Sequence, residues 1–260
     1  MVGGEFSDGS WSDCLTYGTL LNDVALIVDM LWYYPSADTV ALAAQLDILA
    51  RWAYEFMREE NNYAGYWAFT DNPDYPDSLR TLWHNGRIRL AGALGYAGCV
   101  LGNNDFIEAA EFDLFERDLP GGKYGFLDFQ TSQSGVYNEG MSYTEYVMEG
   151  LSKFFTARKR MVDGIDWFDD DRVQSIYENS LDLISPSMSL VPFDDVHEAR
   201  MRGNDGYLYQ PRNMFSEALT YYYQSPPNET ESRAHIKWFI NCYKLHDGYE
   251  DNYTPNINTN

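Results

Sequence analysis

Apolar residues recur every three or four positions along most of this 260-residue chain, and this spacing constrains the fold more than any other feature. It places apolar side chains on one face of a helix, which must then pack against another helix. The sequence contains no long alternation of apolar and polar residues, which is the pattern that predicts a strand. The pattern predicts about eight helices, over residues 12–34, 38–61, 82–101, 105–117, 140–162, 169–184, 212–223 and 229–245. The predicted fold class is therefore all-α.

The connections between these helices predict their arrangement. Residues 62–78 are rich in Tyr, Asn, Asp and Pro and form a long loop, and a second irregular segment covers 120–138. Antiparallel helix pairs joined by long loops favour an incomplete (α/α) toroid over a plain bundle, which has shorter loops. The helix over 82–101 is rich in Ala and Gly, so it should be central and closely approached by a neighbour.

We expect a single toroid domain over residues 12–246. A disordered or expression-derived N-terminus precedes it at 1–11, and a polar tail follows at 247–260. The first residues lack a basic segment followed by an apolar core, so we expect the leader to be absent from this chain.

Composition and charge exclude several classes of partner. The net charge of −22, from 40 acidic and 18 basic residues, argues against nucleic acid. An acidic glycan would need a local basic pocket within this repulsive field. The apolar stretches are too short to span a bilayer, so no membrane is expected as a partner. Cys14, Cys99 and Cys242 lie far apart without CxxC spacing, so neither a zinc site nor a disulfide framework is predicted. We expect no metal and no cofactor.

Three short motifs stand out. Trp83-His84-Asn85-Gly86-Arg87 comes directly before the Ala/Gly-rich helix segment, and Tyr-Asn-Glu-Gly-Met-Ser-Tyr-Thr-Glu-Tyr over 137–146 begins a later helix. A Pro-containing acidic turn, Val-Pro-Phe-Asp-Asp, follows at 191–195. Together they resemble the helical toroid domain of heparinase II/III-like and alginate lyase-like polysaccharide lyases, over about residues 12–245. The chain has Gly86 where that family often places a His.

The resemblance implies an activity and a setting. In the family, an Asn helps to neutralise a uronate carboxylate and a Tyr moves the protons, which correspond here to Asn85 and Tyr143. The implied substrate is an acidic, uronate-containing polysaccharide that is cut by β-elimination. A C-terminal β-sandwich domain often completes the cleft in these lyases, so a missing β-sandwich is an expected partner. The implied location is secreted or periplasmic.

The chemistry of β-elimination suits the same residues. The enzyme must neutralise the C6 carboxylate, remove the C5 proton and protonate the departing O4. Arg87 and Arg89 are candidates to lower a tyrosine pKa, and His84 is a candidate base because its ordinary pKa lies near neutrality. We predict that Asn85 and Tyr143 converge on one rim. The remaining candidates, all for substrate binding, are Tyr146, Glu139, Arg89, Trp67 and Tyr66.

Structural alternatives exist for these residues. Asn85 is also a favoured helix N-cap, and Tyr143 and Tyr146, three positions apart, would pack on one helix face. Two other functions remain open at this point. One is a glycoside hydrolase that uses paired carboxylates such as Glu139 and Asp194. The other is a non-catalytic glycan-binding or structural toroid within a larger assembly.

Overall fold

The computed structural model describes residues 11–58, 85–119, 122–125, 127–128 and 140–183. Within these segments the chain is predominantly helical, which confirms the all-α prediction at the level of secondary structure. The described α-helices are α1 (Trp11–Leu31), α2 (Thr39–Arg58), α3 (Asn85–Leu101), α4 (Asn104–Glu111), α5 (Met141–Arg160) and α6 (Asp171–Asp182). The helices predicted over 212–223 and 229–245 lie outside the described residues. None of the described helices combines the length and apolar character needed to cross a membrane.

The chain divides into two compact units. The first unit consists of Met1–Gln130 and Lys153–Ile165, and the second consists of Thr131–Ser152 and Asp166–Asn260. The predicted single domain over 12–246, and the closure of its helix pairs into a toroid, stay predictions.

In the first unit, α1 and α2 form an antiparallel pair. Tyr17, near the start of α1, lies against Trp52, near the end of α2, with ring centroids 3.9 Å apart. Asp38 caps α2, since its carboxylate accepts a hydrogen bond from the Ala41 backbone N–H at 3.0 Å. α1 ends at Leu31, before the predicted residue 34, because the ring of Pro35 disfavours helical geometry in the residue that precedes it.

α3 lies at the core of the first unit, since every residue from Asn85 to Gly98 is buried. Its small residues allow close approach on two sides. A Cβ added to Gly18 of α1 would lie 3.0 Å from the backbone nitrogen of Leu90. A Cβ added to Gly95 would lie 2.6 Å from the ring of Phe154 in α5. The prediction that this helix is central and closely packed therefore agrees with its burial and contacts.

The segment after α4 departs from the predicted continuous helix over 105–117. α4 ends at Glu111, and a π-helical turn follows at Phe112–Glu116. A short antiparallel hairpin then pairs β1 (Arg117–Leu119) with β2 (Gly122–Tyr124). Three-residue strands are too short to show an alternating pattern in the sequence, which is why this hairpin was not predicted.

The second unit contains a capped helix start. A 3₁₀ turn at Trp167–Asp169 leads into α6, and the Asp170 carboxylate accepts hydrogen bonds from the Arg172 backbone N–H and guanidinium at 2.8–2.9 Å. Burial alone would raise the pKa of Asp170, but the hydrogen bonds and positive charge of Arg172 outweigh it and lower that pKa. The ring of Phe168 packs on Tyr177, with centroids 6.4 Å apart.

Adding a methyl group at Gly95 should destabilise the first unit. We expect Gly95→Ala to lower the free energy of unfolding by about 1–3 kcal/mol, because the Phe154 ring is fully buried and has little room to move. Denaturant unfolding followed by circular dichroism measures this. Phe154→Leu combined with Gly95→Ala should cost less than the sum of the two single changes. Strict additivity would contradict the contact.

The capping carboxylate of α6 should make stability depend on pH. A lowered pKa in the folded state stabilises the protein above the ordinary Asp pKa, and this contribution is lost as the pH falls through the folded-state value. We expect Asp170→Asn to cost on the order of 1 kcal/mol at pH 7 and much less near pH 3, in denaturant titrations at both values. Asp171→Asn, at the exposed neighbouring carboxylate, is the control and should show a smaller change at pH 7.

Candidate functional site

Residues 85–87 of the first motif lie at the beginning of the described part of α3. Asn85 is the first described residue of α3 and is buried. His84, the preceding residue of the motif, lies outside the described residues.

Arg87 makes a buried connection between three elements. Its Nε donates to Oδ2 of Asp113 at 3.0 Å, and its Nη2 donates to the Met57 carbonyl at 3.1 Å. The same Nη2 lies 3.4 Å from Oδ1 of Asp113, so the guanidinium contacts both carboxylate oxygens. Such fork-like pairing is the geometry in which Arg binds carboxylates most strongly.

The partners of Arg87 explain why it is buried. Met57 lies near the end of the described part of α2. Asp113 lies in the π-helical turn that follows α4. Arg87 therefore bonds one backbone carbonyl and one buried carboxylate, and it connects α2, α3 and the π turn. Its predicted part in catalysis stays a prediction beside this structural role.

Sequence reasoning missed Asp113, although the sequence carries a signal for it. α3 was predicted to be central, yet it contains Arg87 and Arg89 in its first two turns. Buried arginines need an acidic partner or hydrogen-bond acceptors. Asp113, flanked by Phe112 and Leu114, is an acid within an otherwise apolar run and meets that requirement. Arg89 is also buried.

The second motif begins α5 and has a structural requirement for its glycine. Gly140 has a φ of +82°, a conformation that L side chains rarely adopt. Its carbonyl accepts hydrogen bonds from the backbone N–H and the hydroxyl of Thr144, both at 3.0 Å. Tyr143 follows in the first turn, half-buried, and Tyr146 is half-buried one turn further.

The predicted site residues divide between the two units. Asn85, Arg87 and Arg89 lie together on the first two turns of α3 in the first unit. Tyr143 and Tyr146 lie on the part of α5 that belongs to the second unit. The convergence of Asn85 and Tyr143 on one rim stays a prediction. The predicted site residues that lie outside the described segments are His84, Tyr66, Trp67, Glu139 and Asp194.

Within the described part of the chain, no group of three or more His, Cys, Asp or Glu side chains could hold a metal ion. Burial raises the pKa of the Cys99 thiol to about 12, although the positive charge of Arg158 opposes the shift. Cys99 is therefore a protonated thiol near neutral pH and lacks the thiolate that a nucleophile or ligand requires.

Comparison of the sequence with protein-family models and with curated proteins gives no match. The functional interpretation consequently depends on the motifs and on the chemistry of the residues themselves. Of those residues, Arg87 has the most completely described contacts.

Removing the Arg87 charge should strongly destabilise the first unit. Arg87→Met leaves the Asp113 carboxylate buried and without its ion-pair partner, so we expect a loss of about 3–5 kcal/mol in the free energy of unfolding. The double variant Arg87→Met with Asp113→Leu removes both charges and should recover much of that loss. Denaturant unfolding of the three proteins measures the difference.

Arg51→Met is the matched control for this experiment. Arg51 pairs with Asp47 at 2.7 Å, but both side chains reach solvent on α2. An exposed pair four residues apart contributes only about 0.3–0.5 kcal/mol. If Arg87→Met cost no more than Arg51→Met, the buried pair would not have the structural role described here.

Proposed function

We propose that this chain is a polysaccharide lyase-type domain that cuts an acidic, uronate-containing polysaccharide by β-elimination. The observation that carries the proposal is the position of Tyr143. It lies in the first turn of α5, three residues after the left-handed Gly140, and is half-buried. A phenol placed in this way has a fixed backbone and access to solvent, which a proton-transferring group needs.

In the proposed reaction, Tyr143 removes the C5 proton of the uronate, the C4–O4 bond breaks and a C4=C5 double bond forms. Tyr143 then donates this proton to the departing O4, so the two new chain ends are an unsaturated uronate and a hydroxyl. Asn85 donates its amide hydrogens to the C6 carboxylate, and the N-terminus of α3 adds a favourable dipole. His84 serves as the base for the other C5 epimer.

The net charge of −22 makes carboxylate neutralisation the demanding step. Arg87 is already paired with Asp113, so little of its positive charge remains for substrate. In the proposal, Arg89 and the dipole of α3 supply the local positive field beside Asn85. The substrate is then bound further by Tyr146, Glu139, Trp67 and Tyr66.

The proposal extends to architecture and setting. The helix pairs form an incomplete (α/α) toroid, and a C-terminal β-sandwich domain completes the cleft. The acidic polysaccharide is then met outside the cytoplasm, in a secreted or periplasmic location. These features accompany the lyase interpretation because they belong to the resemblance on which it depends.

One observation favours a second candidate, a non-catalytic glycan-binding or structural toroid. The buried pair between Arg87 and Asp113 gives the most conspicuous cation of the first motif a structural task. The left-handed conformation of Gly140 likewise gives the second motif a structural reason. A toroid in which the two motifs contribute only to folding would show both features.

Elimination creates an unsaturated uronate whose ultraviolet absorbance distinguishes the candidates. We expect the absorbance to rise with alginate, heparan-type, chondroitin-type or ulvan-type substrate, and Tyr143→Phe to lower the rate about a hundredfold or more, since the proton transfer is lost. Tyr54→Phe is the matched control, because Tyr54 packs on Phe106 within the first unit and belongs to neither motif. It should keep the wild-type rate.

The other outcomes are equally informative. Saturated reducing ends without a rise in absorbance would identify a glycoside hydrolase instead. Glycan binding without turnover, unchanged by Tyr143→Phe, would identify the non-catalytic toroid. An elimination rate that Tyr143→Phe leaves intact would remove Tyr143 from the mechanism.

A further inference from the structure

The turn between α1 and α2 exposes three consecutive aromatic side chains. Trp32 is 41% exposed, Tyr33 is 89% exposed and Tyr34 is 60% exposed. Exposed aromatic side chains that follow one another in a turn are candidates for a binding surface. These three side chains have a described position in the fold, whereas Tyr66 and Trp67 lie outside the described residues.

The backbone that carries these rings is held by hydrogen bonds. The Tyr34 N–H donates to the Leu31 carbonyl at 2.9 Å, and the Ala37 N–H donates to the Tyr34 carbonyl at 3.0 Å. Pro35 fixes a further backbone angle, and Asp38 closes the turn by capping α2. A ligand that binds such an ordered turn loses less free energy to ordering the protein.

Two carboxylates flank the aromatic turn. Asp29 accepts a hydrogen bond from the Tyr96 hydroxyl at 3.0 Å, and Asp38 accepts one from the Ala41 N–H. A carboxylate has about four acceptor positions, so each has capacity for further donors. Hydroxyl groups of a ligand lying across Trp32, Tyr33 and Tyr34 are donors of this kind.

The charged side chains near the turn favour some ligands with an apolar face over others. Between residues 27 and 41 the sequence contains only Asp29 and Asp38 as charged side chains. Both charges on the turn are therefore negative. Polyuronates and anionic lipid headgroups are disfavoured, because basic residues normally bind them.

An uncharged sugar ring matches all of these features. It combines an apolar C–H face, which packs on aromatic rings, with hydroxyl groups that donate to carboxylates. Trp and Tyr are also the aromatic residues whose polar edges tolerate a surface that is partly wet.

We propose that Trp32, Tyr33 and Tyr34 form a docking platform for uncharged saccharide rings, with Asp29 and Asp38 accepting hydrogen bonds from the sugar hydroxyls. The platform is separate from the residues proposed for elimination and does not depend on their activity. It would hold the chain on neutral stretches of a polymer or on a neutral polysaccharide that accompanies the substrate.

Isothermal titration with cellohexaose, mannohexaose and xylohexaose tests the platform on the full chain. We expect binding to at least one of them, and a three- to tenfold weakening by either Trp32→Ala or Tyr33→Ala, the range typical of losing one aromatic contact. Tyr33→Phe keeps the ring and should retain most of the affinity. Ile48→Ala, at an exposed apolar residue on α2, is the matched control for nonspecific adhesion and should bind as the wild type does.

Circular dichroism first establishes that each variant is folded, which the exposure of the three rings leads us to expect. Failure of all three hexasaccharides to bind would overturn the proposal, as would equal weakening by Ile48→Ala. Tighter binding of a hexauronate, lost in the same variants, would contradict the selection for uncharged sugars. Binding to phosphatidylcholine vesicles without binding to any saccharide would identify a membrane-docking turn instead. None of these results depends on the Tyr143→Phe experiment.

Discussion

The buried pair between Arg87 and Asp113 is the interaction on which the described part of the first unit depends. A buried guanidinium is costly unless its hydrogen-bond donors and its charge are satisfied. Here Asp113 and the Met57 carbonyl supply that compensation together. These contacts connect α2, α3 and the π turn after α4. Asn85 lies two residues before Arg87, so the same contacts hold it in place.

The other constraint is the presence of glycine at two positions on the core helices. Gly18 allows the backbone of α1 to approach α3 near Leu90, and Gly95 leaves room for Phe154. Dispersion and burial at such close contacts are lost when even one methyl group intervenes. The last part of α5 is then held further by Arg158, which pairs with Glu111 at 2.9 Å. Small residues and buried ion pairs thus act together around α3.

Much of the secondary structure follows from the sequence because it depends on neighbouring residues. The apolar spacing predicted all six described helices. The π turn and the hairpin did not follow, since each depends on where Asp113 and the adjacent apolar residues are needed in three dimensions. The exposed aromatic turn was also missed, because Trp32 to Tyr34 look like the continuation of an apolar helix. The relation between Asn85 and Tyr143 depends on tertiary arrangement, to which local sequence contributes little.

The left-handed conformation of Gly140 has a consequence for how the second motif persists in evolution. Any other residue at this position would cost about 1–2 kcal/mol in backbone free energy, whatever the function of the chain. Selection for folding alone would therefore preserve the glycine, and with it the register that presents Tyr143 on the first turn of α5. A chain without catalytic activity would keep the same Gly and the same helix start. The glycine therefore reports chain geometry, and it places no requirement on the hydroxyl of Tyr143.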